Sequence, residues 1–346
     1  MTLIYFIIIL GIIVLIHEFG HFICAKKSGI YVYEFSIGMG PRLFKFNRKN
    51  DETDYCIRLF PIGGFVQMAG EEVEDDTTIP KDKKFGSKTF GQKFITVIAG
   101  IMMNFFLAIV LLFIVGLASG APQNKPIVGE ISKDYPAYTS GLQTGDQILT
   151  LNGKKANTID NLTLQLQSNM GKTINLTVLR DNKKVNISVV PKKIKDGKET
   201  TYKYGFAIND EKKYGVFASI KYAFTKTFSL IHQMFFVVLY LFTGGLSLSS
   251  LAGPVGIYNV VGDAATAGFI NLVYLTAFIS INVGFINFLP IPAFDGGRIL
   301  FLLIEKIKGS PVDPKLENSI HAVGFFLLML LMILVTYNDI IKLIGG

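Results

Sequence analysis

The chain opens with an apolar run. Residues 3–16 include nothing more polar than Tyr5 and Gly11, and the run continues without a break into His17-Glu18-Phe19-Gly20-His21 and on to Ala25. A hydrocarbon core about 30 Å thick is crossed by roughly 20 residues of helix, so this stretch has the length and composition of a membrane span. In that medium each backbone amide must be satisfied within its own segment, which leaves helix as the available fold. On a helix, residues four apart lie one above the other, and His17 and His21 therefore offer two imidazole nitrogens to one point. Burying two imidazoles and a carboxylate in hydrocarbon is costly unless something neutralises and ligates them. A zinc ion would do so. Glu18 is turned about 100° from His17, close enough to an attacking water to take its proton without itself being a ligand. H-E-x-x-H also occurs by chance on soluble helices as surface decoration; the membrane setting favours a metal site.

Half of the 346 residues are hydrophobic, which indicates an integral membrane protein with at least one soluble piece. Four stretches are long and apolar enough to span: residues 3–25, 94–118, 272–288 running into a proline-broken continuation, and 321–344. A fifth, 217–242, carries Lys221, Lys226, His232 and Gln233 and is expected to lie in the interface as an amphipathic helix. The net charge of +8 comes from lysines scattered among Asp and Glu, without the arginine clusters or aromatic interleaving of a nucleic-acid face. Anionic lipid is the partner expected for them. Cys24 and Cys56 lack C-x-x-C spacing, which argues against a structural disulfide. The first span has no charged segment before it and no small-residue cleavage site, so it is expected to be retained. Lys26, Lys27, Arg42, Lys45, Arg48 and Lys49 follow it, which orients the N-terminus outside and the first loop in the cytoplasm. His17 and His21 then lie toward the cytoplasmic face.

Between the spans the pattern changes. Residues 31–46 and 55–68 are rich in β-branched and aromatic residues, with Asn50-Asp51 marking a turn, and predict hairpins over the cytoplasmic-side region 26–93. Within them Pro61-Ile62-Gly63-Gly64-Phe65-Val66-Gln67-Met68 is an apolar strand that could present an unpaired edge to an extended peptide, through Gly63, Gly64 and Phe65. An ordinary hairpin is the alternative. The second span, placed at 94–119, holds Gly100-Ile101-Met102-Met103-Asn104, a small residue for close helix approach and one amide whose expected role is packing. Residues 120–200 read as a small soluble domain: strands at 127–131, 146–151, 174–180 and 184–190, and helices at 136–142 and 161–168. Connecting material at 201–268 includes the turn Leu251-Ala252-Gly253-Pro254-Val255-Gly256, to which no chemistry is assigned.

A catalytic zinc uses three protein ligands plus water, so two histidines leave the set one short. His232 and His321 lie in the amphipathic segment and at the start of the last span. Asp295 is the better third ligand, in Asn287-Phe288-Leu289-Pro290-Ile291-Pro292-Ala293-Phe294-Asp295-Gly296-Gly297 of the 269–346 region. Pro290 and Pro292 break the third span, and irregular backbone at membrane depth is tolerated only within protein or against a water-filled cavity. Asn287 has donors and acceptors that could hold an opened substrate backbone. The alternative for Asp295 is an N-cap for the helix that follows.

Together HEFGH, the GxxxN of the second span, LAGPVGI and NFLPIPAFDGG resemble the site-2 protease family, specifically its bacterial regulators of sigma factor proteolysis. The run from Ser140-Gly141-Leu142 through Thr144-Gly145-Asp146 to Asn152-Gly153 resembles a PDZ domain of the bacterial protease-associated type. The resemblance implies a polytopic α-helical membrane protein of about four transmembrane helices with a membrane-associated β-hairpin region and one extracytoplasmic PDZ domain. It implies Zn2+ held by His17, His21 and Asp295, Glu18 as general base and acid, Asn287, Pro290 and Pro292 assisting the substrate, and the Gly63-Gly64 hairpin engaging it as an added strand. The substrates implied are single-span membrane proteins such as anti-sigma factors, remnant signal peptides or pheromone precursors, in a bacterial plasma membrane, with peptide ends as partners of the PDZ domain. Two features depart from relatives: a single PDZ module, and Ala293-Phe294 where Leu commonly precedes the Asp. A metal transporter would instead spread its ligands through the bilayer, and a catalytically silent receptor would not need an intact H-E-x-x-H.

Overall fold

The computed structural model describes residues 1–71, 77–196, 199–244 and 252–345. It divides into two compact units, Met1–Leu111 with Leu248–Gly346, and Leu112–Ser247.

The first unit is mainly helical. Helix α1 (Thr2–Lys27) runs through the whole opening apolar stretch and ends on Lys26 and Lys27, cations that suit the negative end of a helix dipole. Two long strands follow, β1 (Val32–Asn47) and β2 (Asp54–Met68). They fold into four lanes. Residues 32–37 of β1 pair with 64–68 of β2 on one side and with 54–57 on the other, while 42–47 close the sheet against 54–58. The bend that allows this needs Gly38, at φ +86°, where a Cβ would stand 2.5 Å from the Phe60 carbonyl oxygen. Among the described residues, lane 64–68 is paired along one side only. The far end of the sheet exposes Met39, Leu43, Phe44, Leu59 and Phe60, an apolar surface suited to a bilayer.

Helix α2 (Phe90–Ser119) begins in this unit and packs tightly on α1. A Cβ on Gly20 would stand 2.5 Å from the Ala99 carbonyl oxygen, so the two backbones touch only because glycine is there.

The second unit holds an antiparallel sheet. Its strands are β3 (Ile127–Ile131), β4 (Gln147–Leu151), β5 (Ile174–Arg180), β6 (Lys183–Val189) and β7 (Phe206–Asn209), in the spatial order β7-β3-β4-β5-β6. Helix α3 (Ile159–Ser168), capped by the Thr158 hydroxyl accepting from Asn161 N–H, covers a core of Val128, Ile148, Leu151, Leu162, Ile174 and Leu176. Asn152-Gly153 turns the chain at φ +50° and +78°, as an Asn-Gly pair does most readily. Asp146, 1% exposed, is gripped by Arg180 through two bonds of 2.7 Å and accepts from Gln143 N–H at 2.9 Å.

Helix α4 (Val216–Phe242) belongs to this unit and is continuous over 27 residues. Among the described residues five helices are long and apolar enough to cross a membrane, where the sequence predicts four spans and an interfacial 217–242. The surroundings of α4 distinguish it from the other four. One face docks on the sheet module: Lys226 Nζ pairs with Asp160 at 2.6 Å, and the Ser229 hydroxyl donates to the same carboxylate at 2.8 Å. The opposite face bears exposed Phe217, Ile220, Phe224, Phe228, Phe235 and Phe242, a stripe at helical spacing.

The first unit resumes with α5 (Pro254–Thr266), α6 (Phe269–Phe288), α7 (Asp295–Lys308) and α8 (Pro314–Gly345). Leu251 of the predicted turn lies outside the described residues; Gly253 and Pro254 begin α5. Asp339 of α8 reaches that end and accepts from Gly256 N–H at 2.8 Å, close to where a side chain on Gly253 would stand. Helices α1, α5 and α6 share a core of Ile9, Ile13, Val261, Leu272, Leu275 and Ile279.

Burial pushes the Asp146 carboxyl up, but the Arg180 guanidinium and Gln143 N–H more than offset it and hold it below the usual carboxylate range. Its contribution is therefore present above the unfolded-state value of about 4 and fades as pH falls through the lower folded value. Arg180→Ala, which leaves Asp146 buried and unpaired, should destabilise this module by about 2 kcal/mol, less than a fully buried pair because Arg180 is partly solvated. Thermal unfolding of the purified chain should also show a smaller loss of stability below pH 4 in the variant than in the parent.

Candidate metal centre

His17 and His21 lie on one face of α1, 7% and 8% exposed, with Nε2 atoms 3.1 Å apart. Asp295, the first residue of α7, brings Oδ2 to 3.0 Å from His17 Nε2 and 3.4 Å from His21 Nε2. These are the residues among those described whose His, Cys or carboxylate atoms cluster closely enough to hold a metal. Four ligand atoms at the corners of a tetrahedron with arms of about 2.0–2.1 Å stand about 3.3 Å apart, and the three spacings match that edge.

The chemistry of the donors agrees. His21 Nδ1 lies 2.8 Å from the carbonyl oxygen of Thr96, an acceptor, so its proton sits on Nδ1 and Nε2 carries a lone pair. Asp295 Oδ2 is buried and has no hydrogen-bond partner. Lone pairs and a carboxylate thus converge on one point in a medium of low dielectric, an arrangement that a cation stabilises. Zinc fits.

Glu18 and the metal cluster line one cavity of about 760 Å3, together with Phe65, Val66, Gln67 and Met68 of the one-sided lane, and Glu71, Val97, Arg298 and Asn318. The Val66 backbone amide bonds to the Glu18 carboxylate. A Cβ on Gly64 would stand 2.7 Å from the Ser36 carbonyl oxygen, so the close pairing with β1 requires glycine there, and 3.7 Å from Glu18 Cγ, an ordinary contact with the glutamate. Gly63 turns at φ +85° and faces Met39.

A family model described as Peptidase family M50 matches residues 5–331. The chain belongs to peptidase family M50. Among its relatives, the Regulator of sigma-W protease RasP of Bacillus subtilis is 35% identical, the alignment covering 99% of both chains. A Zinc metalloprotease RasP of Bacillus licheniformis is 36% identical with 99% of each covered, and one of Geobacillus kaustophilus 33% identical over 99% of this chain and 98% of its own. This M50 peptidase is a multi-pass membrane zinc metalloendopeptidase.

Not every residue singled out from the M50 sequence reaches the cavity. Its lining omits Asn287, Pro290 and Pro292, and of the predicted strand residues it includes Phe65 but not Gly63 or Gly64. Asn287 sits on the last turn of α6, and the prolines act on chain direction: α6 stops at Phe288, residues 289–294 are not helical, and α7 starts at Asp295. Asp295 is the first residue inside α7 rather than its cap, which is Phe294.

Other residues gain a role that sequence reasoning did not give them. Asn104 is fully buried, its amide lies 3.2 Å from His17 Nδ1, and its Oδ1 has no partner. Turning the amide over sets Oδ1 against His17 Nδ1–H, which leaves Nε2 free for the metal and satisfies both groups. The Ser280 hydroxyl donates to the Asn104 carbonyl at 2.8 Å and ties α6 to the same turn of α2. Gly100 is as confined: a Cβ there would collide with His21 Nε2 and stand 2.9 Å from His17 Cε1. The G-x-x-x-N motif thus lies directly against both imidazoles.

Asn104→Leu should weaken zinc binding about 10–100-fold while Asn104→Asp, which keeps an acceptor, retains most of it. Gly100→Ala should lose both metal and activity. Zinc content after dialysis against a chelator measures all three.

Proposed function

We propose that this M50 peptidase hydrolyses peptide bonds within or beside the membrane-spanning segments of other proteins, with His17, His21 and Asp295 holding zinc and Glu18 moving the proton. The observation that carries it is the convergence of His17 Nε2, His21 Nε2 and Asp295 Oδ2 on one point beside Glu18.

Bound zinc would supply Lewis acidity, polarising the scissile carbonyl and making water acidic near neutral pH. Glu18 takes the proton from the attacking water and returns it to the leaving amine nitrogen. The Val66 amide bonded to its carboxylate orients that group. Thr96 and Asn104, holding the two Nδ1 positions, keep both imidazoles turned with Nε2 inward.

A helical substrate shields its carbonyls in its own hydrogen bonds, so it must open locally before attack. The lane 64–68 is paired along one side among the described residues, and its residues 65–68 line the cavity, which supports docking of the opened segment as an added strand through Gly63, Gly64 and Phe65. Asn287 near the broken end of α6 would steady the unwound backbone, and Pro290 and Pro292 keep that region out of helix. The cation and amides on the cavity wall are compatible with peptide carbonyls.

The second unit is read as a PDZ domain. Its support is the sheet order, with β7 an edge strand that could accept a peptide end by strand addition. Helix α4 is read as lying in the interface, its Phe stripe in lipid and its Lys226 side on the module, because a span would bury the Lys226–Asp160 pair in hydrocarbon. Four spans then remain, and the charge bias after α1 favours an N-terminus and PDZ domain outside and a metal centre toward the cytoplasm. A relative named as a regulator of sigma-W favours a membrane-anchored anti-sigma factor as substrate.

Glu18→Gln should keep zinc and abolish cleavage of a reconstituted single-span substrate; turnover at the parental rate by that variant would contradict the assigned role. Inserting an Asn-Gly pair into the middle of the substrate span should raise kcat/KM several-fold, read by gel-based cleavage in proteoliposomes, whereas replacing existing small residues there by leucine should lower it.

A further inference from the structure

Residues 289–294, between α6 and α7, decide where Asp295 stands. They are held at a point of strain. Among the described residues, those with positive φ other than glycine are Asn50, Asn124, Asn152, Asp181, Asn182 and Ala293. Asn and Asp visit the left-handed region with help from their short polar side chains, whereas Ala293, at φ +86°, has no such help. The segment supplies one restraint itself, a turn over Pro292 and Ala293 in which Phe294 N–H donates to the Ile291 carbonyl at 3.2 Å, but the third position of such a turn is ordinarily glycine or asparagine.

Helix α8 adds a second restraint. The Ala293 amide donates to His321 Nδ1 at 3.0 Å. One turn further along the same face, Gly324 lies against Pro292: a Cβ there would come 2.5 Å from Pro292 Cβ and 2.6 Å from its carbonyl oxygen. Helix α8 therefore presents a His-x-x-Gly face to the two residues that lead toward Asp295. For Nδ1 to accept, the ring proton must be on Nε2, which faces Glu317 Oε1 at 4.0 Å and, among the described residues, has no hydrogen-bond partner. His321 is also absent from the metal cluster found among those residues. The hydrogen bond its ring makes is to the backbone of the bend.

We propose that His321 is a positioning residue for the metal centre: its Nδ1 lone pair holds Ala293 in the left-handed conformation that turns the chain from the end of α6 into Asp295. The proposal rests on Asp295 being a zinc ligand, and the experiment separates the two.

Zinc affinity is measured on the full-length protein in detergent by competition with a chromophoric chelator, alongside cleavage of a single-span substrate. Asp295→Ala should release zinc. His321→Ala should weaken zinc about tenfold, the lower end of what is lost when a group that orients a ligand is removed. His321→Asn, whose Oδ1 stands near the position of Nδ1, should restore parental affinity, and His321→Gln, whose Oε1 stands near Nε2 instead, should resemble the alanine variant. Adding Ala293→Gly to His321→Ala should recover most of the loss, because glycine adopts this φ without support. If His321→Ala binds zinc as tightly as the parent, or if neither His321→Asn nor the added Ala293→Gly relieves its defect, the positioning role is overturned while the ligand assignment stands. If Asp295→Ala keeps parental affinity, both fall. Should His321→Ala fail to fold, the Asn and Gln variants decide: equal zinc affinity in the two overturns the proposal, and a deficit confined to Gln upholds it.

Discussion

Three electron-rich atoms held about 3 Å apart inside an apolar helical unit form the constraint on which the rest depends. In water such a cluster would be unremarked, since solvent would screen it. In a low-dielectric interior the repulsion is large, and a cation between the donors relieves it. Metal binding and folding of this region are therefore coupled. The surrounding architecture keeps each donor from turning away: Thr96 on His21, Asn104 against His17, and the bend before α7 on Asp295.

The close approaches that deliver those restraints come from the absence of side chains. Gly20 lets α1 touch α2, Gly100 lets α2 pass beside both imidazoles, and Gly64 lets the strand that borders Glu18 pair closely with Ser36. Gly296 and Gly297 do the same where α7 folds back on the carbonyls of residues 288, 289 and 291. In a membrane, where burying apolar surface gives helices no advantage over lipid, such contacts between backbones are a main source of helix association. Here they also bring the reacting groups within reach of one another.

Parts of this were legible before any coordinates. The four-residue spacing of His17 and His21, the ligand count that calls for one more donor, and the prolines that interrupt the third span are all local signals. Asn104 stood out as an amide in an apolar helix, but its neighbour is 87 positions away and nothing in the spacing names it. Thr96 acts through its carbonyl, a group every residue has, so its identity carries no message. His321 answers to a backbone amide 28 positions off, which is equally silent in sequence. The four lanes folded from two long strands also escaped, because register depends on bends at glycines whose φ the sequence does not state. Residues 217–242 show the limit of hydropathy: it admits the helix as a span, whereas its Lys, His and Gln mark it as amphipathic, and the structure shows what its polar face meets, the Asp160 carboxylate that takes Lys226 and Ser229.

The last helix has an uneven relation to its surroundings. Most of residues 315–341 are exposed, and its ties to other segments gather near the two ends, at His321 with the close approach of Gly324, and at Asp339. Its middle turns answer to acyl chains, so one aliphatic residue there serves nearly as well as another. A helix fastened at top and bottom cannot easily tilt to suit a bilayer that is too thin or too thick. Hydrophobic mismatch would be passed to the fastenings, one of which adjoins Asp295, making membrane thickness a mechanical input to the geometry of hydrolysis.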